Sequence, residues 1–246
     1  MSNTTTNATT TTKAANAAPR TKATNTAAPR TKAAIFDMDG LMFDTQRLYD
    51  QMWEPACAEQ GVPCIRGMVE DTRGTNGENM WAAIRKYYGD TVDPAELWAA
   101  NKRHTFAALE KHVPKRPGLD ELLTWLDEHN VPMAVASSTE REHVLRNLEV
   151  AGVRRYFKAV ICGDMVKLSK PDPETFLVAA RELGVEPTRS LVLEDAYNGV
   201  RAGHAGGFIT VMVPDVAPVN DEIREKADAI CDSLLDVRNL LEADKL

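Results

Sequence analysis

The chain has 246 residues, 43% of them apolar, and a formal charge of −7, the balance of a globular protein of one large or two small domains. No stretch approaches the ~18 consecutive apolar residues that cross a bilayer, and the acidic balance argues against a nucleic-acid partner. That argument sharpens for the folded part, because residues 1–32 carry Lys13, Arg20, Lys22, Arg30 and Lys32 and no acid, a charge of +5 that leaves about −12 for the rest.

Residues 1–31 are rich in Thr, Ala and Asn and lack periodic apolar positions. Such a segment buries too little surface to offset its ordering entropy, so a disordered basic tail is expected. The phrase at 17–23 recurs at 27–33, a single duplication rather than a repeat array. Organellar transit is the minor alternative for the tail; a secretory signal lacks its apolar segment here. Cys57, Cys64, Cys162 and Cys231 form no C-x-x-C pair and read as free thiols of a reducing compartment.

The first ordered element is the apolar run Ala33-Ala34-Ile35-Phe36, read as a buried strand. It ends in Asp37-Met38-Asp39-Gly40. Residues 46–113 then carry helical patterning and no convincing strand. They hold Trp53, Met80, Trp81, Ile84, Tyr87, Tyr88, Leu97, Trp98 and Leu109. Pro117-Gly118 punctuates the chain. Leu119, Leu122, Leu123 and Leu126 follow at helical spacing. Strand and helix signals alternate from there: strands at 131–137, 159–162, 190–194 and 208–213. A capping box at Thr139-Glu140-Arg141-Glu142 opens one helix, and Asp172-Pro173 supplies N-cap and first residue of another. Alternation of this kind means a parallel sheet clothed by helices. The expected fold is therefore α/β: a Rossmann-like parallel sheet core, residues 32–45 and 117–246, with an inserted all-helical cap domain, residues 46–116, hinged near 44–47 and 113–117.

Strand ends of a parallel sheet converge on one edge, where open α/β folds bind ligands. Asp37 and Asp39, Ser137 and Ser138, Lys170, and Glu194-Asp195 all fall at such ends or in the loops that follow. Crowded carboxylates repel unless a cation joins them. Mg²⁺ is a hard cation suited to oxygen ligands. A carboxylate can attack phosphorus, a second acid can move the proton, and lysine and hydroxyl donors can hold a phosphoryl group. The set points to Mg²⁺-dependent phosphoryl transfer. Singly, each feature has a plainer reading as a turn, a helix cap or a solvated side chain. Their joint placement favours function. In the helical insert, Tyr49 and Trp53 lie just past the first hinge and are expected to face the site. The turn holding Arg73, Gly74 and Asn76 is expected to read substrate. The five histidines show no ligand spacing.

Asp37-Met38-Asp39-Gly40, Ser137, Lys170 and Glu194-Asp195 resemble, in order, the four motifs of the haloacid dehalogenase superfamily, and the helical insert after the first motif resembles its β-phosphoglucomutase-like branch. Lys170-Pro171-Asp172-Pro173-Glu174 and Asn198-Gly199-Val200 match as well. The resemblance covers residue 33 onward. It implies Asp37 as nucleophile and Mg²⁺ ligand. It implies Asp39 as general acid/base, with its backbone carbonyl on the metal. Asp195 would be a direct ligand, Glu194 a ligand directly or through water, and Ser137 and Lys170 phosphoryl binders. An acid at position 39 implies phosphoryl transfer, since the dehalogenases of the superfamily lack one there.

The chain departs from the mutase pattern. It has Gly77 where the sugar-phosphate mutases carry a loop arginine, Tyr49 where they carry a histidine, and Glu140 where they carry a lysine. Arg73, four residues before Gly77, is the candidate substitute for the missing arginine. The expectation is a Mg²⁺-dependent phosphatase of a small sugar or polyol phosphate. A sugar phosphomutase is the alternative, and a non-catalytic binding module on the same fold a remote one. It is expected to be a cytoplasmic monomer with a small phosphorylated metabolite as partner, and neither nucleic acid nor membrane.

Overall fold

The computed structural model describes residues 31–73, 75, 77–216 and 218–246. The expected tail at residues 1–30 lies outside the described residues, as do Gly74 and Asn76. No helix among the described residues is long and apolar enough to cross a membrane.

Six strands form one parallel sheet: β1 (Ala33–Phe36), β2 (Met133–Ala136), β3 (Phe157–Ile161), β4 (Ser190–Glu194), β5 (Ile209–Met212) and β6 (Ala229–Ile230). Their spatial order is β3-β2-β1-β4-β5-β6. β1 is central and buried on both faces, which is why it reads as an unbroken apolar run. Side chains alternate between faces with period two. Ala34 and Phe36 therefore join one apolar cluster, with Val135, Leu191 and Leu193. Ala33 and Ile35 join the other, with Ala134, Ala136 and Val192. Helix α5 (Leu119–Glu128) buries Leu119, Leu122, Leu123 and Leu126 in the first cluster, as its spacing predicts. Helix α7 (Glu174–Leu183) covers the second with Phe176, Ala179, Ala180 and Leu183. α6 (Arg141–Val150), α8 (Tyr197–Ala205), α9 (Asp221–Lys226) and α10 (Leu234–Glu242) complete the layers.

Between β1 and α5 run α1 (Thr45–Glu59), α2 (Arg66–Thr72), α3 (Gly77–Tyr88) and α4 (Pro94–Leu109). They share an apolar cluster of their own, including Trp53, Met68, Met80, Ile84 and Leu97. The chain segments leading into and out of these helices pair with each other. Asp44 N donates to Pro114 O at 2.9 Å and Arg116 N to Met42 O at 2.8 Å. Arg116 also forms a half-buried ion pair with Asp215, at 2.8 Å, in the loop after β5. On α4, Phe106 stacks on His143 of α6 with ring centres 3.7 Å apart.

Two helix starts differ from expectation. No side chain caps α6: its N-cap is Glu140, and the Thr139 hydroxyl is engaged elsewhere, so the expected capping box does not form. α7 begins at Glu174 rather than Pro173, although Asp172 Oδ1 accepts from Glu174 N at 2.9 Å in a capping manner. The strands expected at 131–137, 159–162 and 208–213 appear as β2, β3 and β5 with shifted ends. β6, only two half-buried residues, carries too little pattern to be read locally.

Candidate active site

The chain runs outward in opposite directions on either side of β1. β2 and β3 lie to one side, and β4 to β6 to the other. The carboxyl ends of β1 and β4 therefore flank a crevice at the point where strand order reverses. Asp37 N extends the ladder beyond β1 by donating to Leu193 O at 3.0 Å. This places the Asp37 side chain beside Glu194 and Asp195.

Gly40 turns the chain away with φ +90°, and a Cβ there would lie 2.2 Å from Asp195 Oδ2. A side chain at 40 would both strain the turn and displace that carboxylate. Gly199, in the first turn of α8, does the same for Glu194, since its Cβ would fall 1.8 Å from the carboxyl carbon. Glu194 Oε2 accepts from Asp195 N at 3.0 Å and Ala196 N at 3.1 Å, backbone donors of the turn entering α8.

Lys170 joins the cluster from the loop before α7. Its Nζ donates to Asp37 Oδ1 at 2.6 Å, to Glu194 Oε1 at 2.7 Å and to Ala136 O at 3.0 Å. Its side chain is 7% exposed, so this is not a solvated lysine. Ser137 is buried at the end of β2, and its Oγ accepts from Thr139 N at 3.0 Å. Ser138 is exposed beside it.

Three carboxylates face one ammonium. Burial pushes Asp37 up to about 8, with Lys170 pulling it down and Glu194 raising it further. Asp195 is also held well above the usual carboxylate range, by burial and then by Glu194 and Asp37. Burial alone would lower Lys170, but Asp37 and Glu194 outweigh it and hold the amine fully charged. The cluster therefore lacks positive charge. Oxygens of Asp37, Glu194 and Asp195 lie within 4.8 Å of one another. An all-oxygen donor set of that size and excess charge fits a hard divalent cation such as Mg²⁺.

The Asp39 carboxylate is not part of that group of three. Its Oδ2 accepts from Thr139 Oγ1 at 2.8 Å. Burial raises the Asp39 pKa, and the hydroxyls of Thr139 and Thr45, the Lys170 charge and the Ser137 hydroxyl oppose the shift by stabilising the charged form. Thr139 and Thr45 were not among the residues expected from sequence. The signal available for Thr139 was its place two residues after Ser137 in the loop leaving β2.

The helical residues divide. Tyr49 is half-buried, its ring 5.4 Å from Trp98 and its carbonyl held by Asn101 Nδ2 at 2.9 Å. Burial, and then the Asp39 charge, raise its phenol. Trp53 does not present its ring as expected. It is 2% exposed in the helical cluster, 5.7 Å from Trp98. Its period on α1 points it into helix packing. Arg73 is paired with Asp50 at 2.7 Å, and Asp50 also accepts from Gln46 Nε2 at 3.1 Å.

The family described as haloacid dehalogenase-like hydrolases matches residues 34–213 of the chain. The chain is 33% identical over 183 residues to fructose-1-phosphate phosphatase YqaB of Escherichia coli, covering 73% of this chain and 94% of that one. It is 29% identical over 209 residues to hexitol phosphatase B of the same organism, covering 83% and 93%. The crystal structure of β-phosphoglucomutase from Clostridium difficile superposes with a TM-score of 0.66 at 20% identity, covering 87% of this chain and 97% of that one, a likeness of fold.

Proposed function

The chain belongs to the haloacid dehalogenase-like hydrolase family, and we propose that it is a Mg²⁺-dependent phosphatase hydrolysing a small sugar or polyol phosphate through an aspartyl phosphate on Asp37. The single observation that carries this reading is the Asp37 carboxylate. It is held at 2.6 Å by a buried lysine and lies beside Glu194 and Asp195 at the sheet's switch point. The phosphatases of fructose 1-phosphate and hexitol phosphates among its relatives support the substrate class.

Asp37, Glu194 and Asp195, with the Asp39 carbonyl, would hold Mg²⁺. When bound, it neutralises charge so that a carboxylate can approach a phosphate. Asp37 attacks phosphorus. Lys170, Ser137 and Ser138 hold the spread charge of the transferring group. Asp39 protonates the departing alkoxide, then takes a proton from the water that clears the acyl phosphate. The helical segment, residues 46–116, acts as a cap that limits water and selects the leaving group, with Tyr49 and Arg73 contributing contacts. The enzyme acts as a cytoplasmic monomer.

The alternative, a sugar phosphomutase, needs a cation in the cap for a second phosphate. Arg73, the candidate for that task, is paired with Asp50 at 2.7 Å, which favours hydrolysis. A screen of sugar and polyol phosphates for released phosphate, with and without Mg²⁺, tests the reading. Mg²⁺-dependent release that vanishes in Asp37→Asn is expected. Turnover of a sugar phosphate to its isomer without free phosphate would replace it with the mutase. Full activity in Asp37→Asn would remove the nucleophile.

A further inference from the structure

We propose that Thr139 is the positioning residue of the proton-transfer step, its hydroxyl holding the Asp39 carboxyl apart from the metal-binding carboxylates. This inference rests on the acid/base role proposed for Asp39 above. Thr139 Oγ1 donates to Asp39 Oδ2 at 2.8 Å across 100 residues of chain. Thr139 lies one residue before Glu140, the N-cap of α6. Its hydroxyl serves Asp39 rather than the helix, whose N-cap has no side-chain bond.

The backbone of Thr139 is locked on both sides. Its N–H donates to Ser137 Oγ at 3.0 Å, and its carbonyl accepts from Gly163 N at 3.1 Å. Gly163 lies so close beneath that a Cβ there would meet Ser138 O at 2.2 Å. The hydroxyl is thus delivered from a tightly hydrogen-bonded bend just beyond β2. A hydroxyl donates to a carboxylate and accepts from a carboxylic acid, so it can hold Asp39 in either state, which a backbone N–H cannot.

The test compares Thr139→Val, which removes the hydroxyl at nearly constant shape, with Thr139→Ser, which keeps it. Two substrates are used: a hexitol phosphate, whose alkoxide must be protonated, and p-nitrophenyl phosphate, whose phenolate leaves without a proton. The ratio kcat/KM reports steps up to release of the leaving group. In Thr139→Val it should fall about tenfold or more on the alkyl ester and less than about threefold on the aryl ester. Serine should restore it. Equal loss on both esters, or loss on neither, overturns the positioning role. Should the valine variant fold poorly, Thr139→Ala is read in the same two-ester comparison. Asp39→Asn separates the two claims. Alkyl-ester activity surviving in Asp39→Asn defeats the acid/base reading, whereas loss in Asp39→Asn with none in Thr139→Val defeats only this inference.

Discussion

Replacing Lys170 by methionine removes the one ammonium that faces Asp37 and Glu194 and keeps most of the side-chain volume. Lys170 is 7% exposed, and its partners Asp37 and Glu194 are 11% and 2% exposed. Breaking a buried pair from one side typically costs about 3–5 kcal/mol, because the remaining charge is left uncompensated. Glu194 keeps its two backbone donors, so the deficit falls mainly on Asp37. That cost depends on pH. Burial already pushes Asp37 up to about 8, so near pH 6 the variant can hold it as a neutral acid and loses little more than a hydrogen bond, about 1–2 kcal/mol. At pH 9 the charge must be buried or the protein must distort. Thermal unfolding in the presence of a chelator should show Tm lowered by roughly 6–20 °C at pH 9, taking about 2–4 °C per kcal/mol for a chain of this size. The loss at pH 6 should be distinctly smaller. An equal loss at both pH values, or none at pH 9, would refute the claim that Lys170 compensates buried carboxylate charge. Phosphate release should fall by about 10²–10³ in the same variant, as for removal of one preorganised donor.

Three further outcomes are expected. Gly199→Ala places a methyl 1.8 Å from the Glu194 carboxyl carbon; overpacking of this kind costs about 1–3 kcal/mol, and Mg²⁺ titration of activity should shift to higher concentration, whereas Gly61→Ala, strained by its own φ of +68° but with no neighbour within 4 Å of its Cβ, should leave that titration unchanged. Without metal, stability should fall as pH rises. Asp37 has a native value raised from 3.8 to about 8, so the native state holds a proton that the unfolded chain has released. Its contribution is complete below the unfolded value and is lost toward pH 8, at about 1.4 kcal/mol per pH unit for one proton. Chemical unfolding between pH 5 and 8 should show this slope in the wild type and a shallower one in Asp37→Asn; identical slopes would count against it. Arg116→Met strands the Asp215 carboxyl, 6% exposed with Oδ2 already unpartnered, and should destabilise by about 3 kcal/mol, read as a lower urea midpoint at unchanged slope.

The fold was legible because its signals are local. An apolar run cut off by Asp37-Met38-Asp39-Gly40 needs no tertiary information to read as a buried strand with a charged end. The spacing of Leu119, Leu122, Leu123 and Leu126 names a helix face by itself. Convergence of strand ends followed from alternation alone, since parallel strands share one carboxyl edge. The resemblance to a family then attached roles to those positions. Helix starts were less legible. Asp172 is within a residue of its expected place, yet Thr139 satisfies a capping pattern without capping.

What the sequence determined by itself was the inventory of chemistry and the edge of the sheet where it gathers. Tertiary structure alone decided which groups face one another. Lys170 and Asp37 are 133 residues apart, and Thr139 and Asp39 are 100 apart. No local pattern encodes those pairs, because they arise from strand order and loop path. The same holds for Trp53, drawn into helix packing by Trp98, and for Arg73, taken up by Asp50. Hydrogen-bond and charge satisfaction in a buried site is settled by whichever partner the folded chain brings within reach, and that is a property of the whole fold.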